Sequence, residues 1–255
     1  MPYFQRLDEH RFRATEEVGG AWDTTHQHIA PALGLLVHAV EQDRDARRDD
    51  RLRVGRLSYD ILGTVPVDAV EVAVRVLRPG RTIELVEATL RHGDRDVVLL
   101  RAWLMSTRDT ERVAGSSLPR LKPPADLAPW DPTSLWPGGF IASAEVRRDQ
   151  EEPGRARFWV RSTTTLLDEP VSDLARFTGL LDIANGMTVR VDPREVAFPN
   201  VDLTAHFFEE PRGEWVGFDT SVSFGTSGLG LTSSVLHDHD GPVGTLAQVL
   251  TVRPG

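Results

Sequence analysis

The stretch from Asp202 to Arg253 alternates apolar and polar residues through three or four short runs. They are broken at Glu210-Pro211-Arg212-Gly213, at the glycine-rich segment Gly225 to Gly230 and at Asp240-Gly241. Period-two alternation bounded by such turn residues is the pattern of half-buried β-strands. Three polar residues, Asp202, Ser223 and Gln248, lie on separate runs. If those runs share one sheet, the three side chains can converge.

The rest of the chain reads as the same order of elements used twice. In the first half, Ile29, Leu33, Leu36 and Val40 recur at helical spacing with Pro31 in the first turn, which predicts a helix from Ile29 to about Gln42. The charged run Arg44 to Asp50 reads as a solvated loop. Strand patterns follow over Arg53 to Leu62, Ala69 to Leu77, Thr82 to Arg91 and Asp96 to Thr107, the last two joined by a hairpin at His92-Gly93-Asp94. Between Ala114 and Pro137 the prolines 119, 123, 124, 129, 132 and 137 oppose regular structure and mark a connector. Beyond it come strand patterns at Phe140 to Arg147 and Arg155 to Thr163. A helix follows from about Val171 to Asn185, with Val171, Leu174, Thr178 and Leu181 on one face and Asp168 as candidate N-cap. The division is an N-terminal unit over 1–115, a connector over 116–137 and a C-terminal unit over 138–255 that carries the candidate site.

Several motifs carry a resemblance. Asp202 opens the strand after the second helix, Ser223 lies eight residues past Trp215, Gln248 precedes Arg253 by five, and Gln27-His28 stands before the first helix. With Leu77-Arg78-Pro79-Gly80-Arg81 and Ile83-Glu84-Leu85-Val86-Glu87, these resemble the TesB-like acyl-CoA thioesterases and related thioesterase-like proteins of double hotdog fold. The resemblance implies an α+β fold: two antiparallel sheets, each wrapped around a long helix, joined into one pseudo-dimeric unit. Its sites lie at the seam, where a helix of one half faces strands of the other. It departs at three places: the family usually has Thr where this chain has Ser223, Glu-Gly where it has Val249-Leu250, and two glycines where it has Ile29-Ala30.

The implied chemistry is hydrolysis of an acyl-CoA or similar acyl thioester. Asp202 would aim or deprotonate a water that Ser223 and Gln248 also hold, and backbone N–H groups near Val171 and Ser172 would meet the oxyanion. Gln27 and His28 would contact substrate. Taken singly, each residue also has an ordinary structural role as a turn, strand or capping residue. Two rivals stay open: a non-catalytic acyl-CoA-binding member of the same fold, and an enoyl-thioester hydratase or dehydratase working through His28.

Other classes are disfavoured. The chain has no cysteine, which excludes disulfides, thiolate metal sites and a cysteine nucleophile. His26 and His28 lack further ligands to complete a metal shell, and His237-Asp238-His239-Asp240-Gly241 reads as a hairpin turn. The glycines at 225–230 precede a strand rather than a helix, and no Gly-x-Ser-x-Gly elbow occurs, so neither a phosphate loop nor a serine triad is indicated. A net charge of −9 argues against non-specific nucleic-acid binding. The expectation is a cytoplasmic hydrolase without cofactor or membrane span, acting on an acyl thioester, with homo-oligomer formation left open.

Overall fold

The computed structural model describes residues 1–255. The N-terminal half contributes β1 (Phe4–Arg6), β2 (Arg11–Ala14), α1 (Ile29–Arg47), β3 (Arg53–Ile61), β4 (Ala69–Arg78), β5 (Ile83–His92) and β6 (Arg95–Met105). The C-terminal half contributes β7 (Pro129–Trp130), α2 (Gly139–Ala142), β8 (Ala144–Glu152), β9 (Arg155–Ser162), α3 (Asp173–Thr178) and α4 (Ala184–Met187). It continues through β10 (Val196–Ala197), β11 (Asp202–Phe207), β12 (Val216–Phe224), β13 (Leu229–Asp238), β14 (Gly241–Thr251) and β15 (Arg253–Pro254). No helix is long and apolar enough to cross a membrane.

Helix α1 forms where the apolar spacing predicts and runs further. Its first turns are buried on every side, from Ala30 through Val37. It extends to Arg47 because the arginines of the charged run have partners: Arg47 pairs with Asp43 and Glu84, and Arg44 donates to the Leu52 carbonyl at 2.9 Å. That part of the run is therefore helix, not solvated loop.

The predicted second helix is divided. α3 ends at Gly179, a 3₁₀ turn covers Leu181–Ile183, and α4 is a single turn. The cause is tertiary, because α3 crosses α1 backbone to backbone. A Cβ on Gly34 would stand 2.5 Å from the Ala175 oxygen and 3.0 Å from the Gly179 Cα. Thr178 Oγ1 meanwhile donates back to the Leu174 carbonyl at 2.9 Å, a bond that competes with the regular ladder. The expected strand start at Phe140 is likewise the helical turn α2. Gly138 adopts φ 108°, and a Cβ on Gly139 would lie 2.3 Å from the Glu16 oxygen, so the chain turns there.

Thirteen strands form one continuous antiparallel sheet in the order β1-β2-β4-β5-β6-β3-β11-β14-β13-β12-β9-β8-β7, while β10 pairs with β15. The sheets of the two halves join into one, as a pseudo-dimeric unit requires, but the expectation of a long helix inside each is corrected for the second half, whose helix is segmented. They meet where β3 pairs with β11, Tyr59 opposite Leu203. Outward from that pair both halves run through their last strand first and then backwards, the signature of a duplicated unit. A single apolar core links Leu33, Leu36, Leu57 and Tyr59 of the first half with Phe140, Ala175, Leu203 and Leu246 of the second.

Candidate active site

The break between α3 and α4 places Asp182 inside the molecule, with 6% of its surface exposed. Its Oδ1 accepts two carboxamide N–H groups, Asn200 Nδ2 at 2.6 Å and Gln248 Nε2 at 3.1 Å. Asn200 stands two residues before β11 and also donates to the Asp202 carbonyl at 3.1 Å. Gln248 comes from the inner face of β14 and is 1% exposed. Helix, loop and strand thus converge on one carboxylate oxygen, and its orientation is fixed by donors from two other elements.

The second oxygen, Oδ2, lies 4.0 Å from His28 Nδ1, across the seam from the N-terminal half. His28 caps α1: its Nδ1 accepts the Ala30 N–H at 3.2 Å, which puts the ring proton on Nε2. The ring packs on Phe140 with centroids 4.2 Å apart. Burial pushes the imidazole pKa down to about 3, so His28 is neutral at physiological pH and makes no ion pair with Asp182. Burial pushes the Asp182 carboxyl up to about 7, against the pull of its two amide donors. A carboxylate with half its oxygens clamped, the other open and a pKa near neutrality is suited to general-base work.

A cleft between the halves reaches this group. Trp22, Gln27, His28 and Leu62 line it from the first half, Asp182 and Asn200 from the second. Trp22 also stacks edge-on against Trp136, at 4.8 Å, and against Phe198, at 5.4 Å, which gives the mouth an aromatic wall.

The three residues singled out along the sequence do not meet. Gln248 lies in the network just described. Asp202 accepts the Val249 N–H at 2.6 Å and is occupied there. Ser223 pairs with Leu231, which pairs with Val249, so it belongs to the row beside Gln248 and projects from the opposite, exposed face of the sheet. Gln27 lines the cleft while its Nε2 donates to the Pro66 carbonyl at 2.8 Å. Val171 packs against the core, and Ser172 caps α3, accepting the Ala175 N–H at 3.0 Å and donating to Glu41. Both stand away from Asp182, so the short second helix offers no oxyanion position beside it. Sequence reasoning passed over Asp182 and Asn200. The available sign was a lone carboxylate inside the apolar run Leu180-Leu181-Asp182-Ile183-Ala184.

Residues 18–105 match the family described as acyl-CoA thioesterase N-terminal domain, and residues 122–252 match its C-terminal domain. No curated protein matches the sequence. Among solved structures, a protein of unknown function with hot dog fold from Alicyclobacillus acidocaldarius is similar at TM-score 0.77 and 15% identity, over 98% of this chain and 96% of that one. An acyl-CoA thioesterase II, TesB2, from Mycobacterium marinum is similar at TM-score 0.71 and 16% identity, over 99% of this chain and 96% of that one. A tesB protein of Mycobacterium avium subsp. paratuberculosis gives TM-score 0.66 and 18% identity, over 98% of this chain and 96% of that one. The fold is therefore that of the hotdog proteins, spanning the whole chain.

Proposed function

The chain belongs to the acyl-CoA thioesterase family, and from that premise we infer that Asp182 is the general base of a water-mediated thioester hydrolysis. The enzyme is a thioester hydrolase acting on acyl-CoA. The observation that carries the residue assignment is the two-amide clamp on Oδ1, which leaves Oδ2 directed toward His28 and the cleft. A water beside Oδ2 gives up a proton to Asp182 as its oxygen attacks the thioester carbonyl carbon. The carbonyl electron pair moves onto oxygen, and that oxyanion forms near the N-terminus of α1, where the Ile29 N–H is left free beside the His28 cap and carries partial positive charge. Collapse breaks the C–S bond, the thiolate leaves, and the proton returns from Asp182 to sulfur. No covalent enzyme intermediate is needed.

His28 supports this division of labour. A neutral ring whose Nδ1 is already spent on Ala30 is poorly placed for the acid–base role a hydratase would ask of it. The test is release of free thiol from acyl-CoA substrates. Asp182→Asn lowers kcat about 10²–10⁴-fold, the usual worth of a positioned base, while Asp202→Asn stays within a few-fold of the parent. Near-parental turnover by Asp182→Asn, or collapse in Asp202→Asn alone, overturns the assignment.

A further inference from the structure

We propose that Thr232 is a positioning residue for this reaction: its hydroxyl holds the Gln248 carboxamide with the oxygen toward β13 and Nε2 toward Asp182. The proposal rests on Asp182 being the base, and it concerns what decides which end of the Gln248 amide faces that base. An amide is nearly symmetric in shape, so its orientation is set by the hydrogen bonds offered at its two ends.

The register places Thr232 directly opposite Gln248 on neighbouring strands, with both side chains on the inner face and 0% and 1% exposed. Directly opposed side chains have Cβ atoms about 4.5–5.5 Å apart. Gln248 Nε2 is spent on Asp182, whereas Gln248 Oε1 and Thr232 Oγ1 are both buried without a protein hydrogen-bond partner. One is an acceptor and the other can donate. No direct hydrogen bond joins them, and leaving both unpaired would cost about 1–3 kcal/mol each, so one bridging water links the hydroxyl to the amide oxygen.

No other group in the row competes. Thr232 is flanked on its far side by Val222. In the next rank along the strands, the Ser234 hydroxyl is already bonded to Thr220 at 2.7 Å. Were the amide reversed, its oxygen would face the Asp182 carboxylate and one of the two donors stabilising the anion would be lost. The titratable side chain facing Asp182 from across the seam is neutral His28, 4.0 Å away, and the two hydrogen-bond donors to Asp182, Asn200 and Gln248, carry no charge. A change in the amide therefore registers directly in the ionisation of the base.

The experiment compares Thr232→Val, which deletes the hydroxyl at nearly constant shape, with Thr232→Ser, which keeps it, and with Thr220→Val, which deletes a neighbouring buried hydroxyl. Folding is checked by circular dichroism and melting, and kcat/KM is measured from pH 5 to 9. Losing one anion-stabilising donor moves the acidic limb of Thr232→Val upward by about one pH unit and lowers kcat near pH 7 about fivefold, with KM within about twofold. Thr232→Ser restores both, and Thr220→Val loses stability with the limb unmoved. A parental limb in folded Thr232→Val, or an equal shift in Thr220→Val, overturns the proposal. If Asp182→Asn retains turnover, it is the base assignment that fails, and the two failures are thereby told apart.

Discussion

Asp182 is held under opposing demands, and the balance is visible in titration. Water would ionise its carboxyl near 3.8, but burial raises it to about 7 in the native state. Activity needs the ionised form, so kcat/KM rises with pH through about 7, with no second inflection from His28, which is neutral across that range. Stability runs the other way. Between pH 3.8 and about 7 the native state binds more protons at this site than the unfolded chain, so native stability falls as pH rises through that window, and the full cost is present above it. Asp182→Asn removes the ionisable group while keeping its acceptor oxygen for the two amides. It should therefore stabilise the fold by about 2–4 kcal/mol at pH 8 and by little near pH 4. Paired thermal melts at the two pH values check this; an equal change at both would mean that buried ionisation is not what the native state resists.

The crossing of α1 and α3 sets where the base stands, since Asp182 follows Gly179 by three residues. Gly34→Ala tests the crossing because two effects of opposite sign compete there. Alanine favours a helix interior over glycine by about 1 kcal/mol. Its methyl, however, would meet the Ala175 oxygen at 2.5 Å and the Gly179 Cα at 3.0 Å, both backbone atoms that cannot swing aside. Overpacking of that kind costs about 1–3 kcal/mol, so net destabilisation with a fall in kcat is expected from melting and turnover; a stabilised variant would show that the helices can part freely. This contact also explains what the sequence could reveal. Helix α1 and the hairpin at His92-Gly93-Asp94 were legible because their periodicity is local, and Gln248 was legible through its spacing from Arg253. The break after Thr178 was not, because Gly34 lies far away along the chain. Nor was the face of Ser223 legible: β12 and β13 carry hydroxyl residues on both sides, so alternation alone does not show that Thr232, rather than Ser223, shares the row of Gln248.

At the scale of the whole molecule, duplication creates two seams, and the residues that fill them differ. The N-caps His28 and Ser172 are 144 residues apart, as are the central sheet partners Tyr59 and Leu203. The same interval sets His38 against Asp182. In the sheet, Leu100 pairs with Tyr59 as Gln248 neighbours Leu203, one step from the Thr204–Ala247 pair. The second seam therefore presents a histidine and a leucine where the first presents a carboxylate and a carboxamide. It is closed by charge: His38 Nε2 lies 2.9 Å from Glu169, Glu169 meets Arg6 at 2.5 Å, and Ser172 donates to Glu41. The Arg6 guanidinium, with help from His38, holds the Glu169 carboxyl at about 2, so its contribution is present above its ordinary value of 4.5 and is lost as pH falls toward 2. Glu169→Gln should accordingly lower the melting temperature at pH 7, by an amount that shrinks below pH 4.5, while leaving kcat/KM within about twofold, since a partly exposed pair contributes on the order of 1 kcal/mol and touches no reacting atom. One working site per chain follows, and pre-steady-state thiol release should give one equivalent of fast site per polypeptide, slowed about 10²–10⁴-fold by Asp182→Asn. A second burst equivalent that survives this substitution, or a tenfold loss of kcat/KM in folded Glu169→Gln, would place chemistry at the charged seam as well.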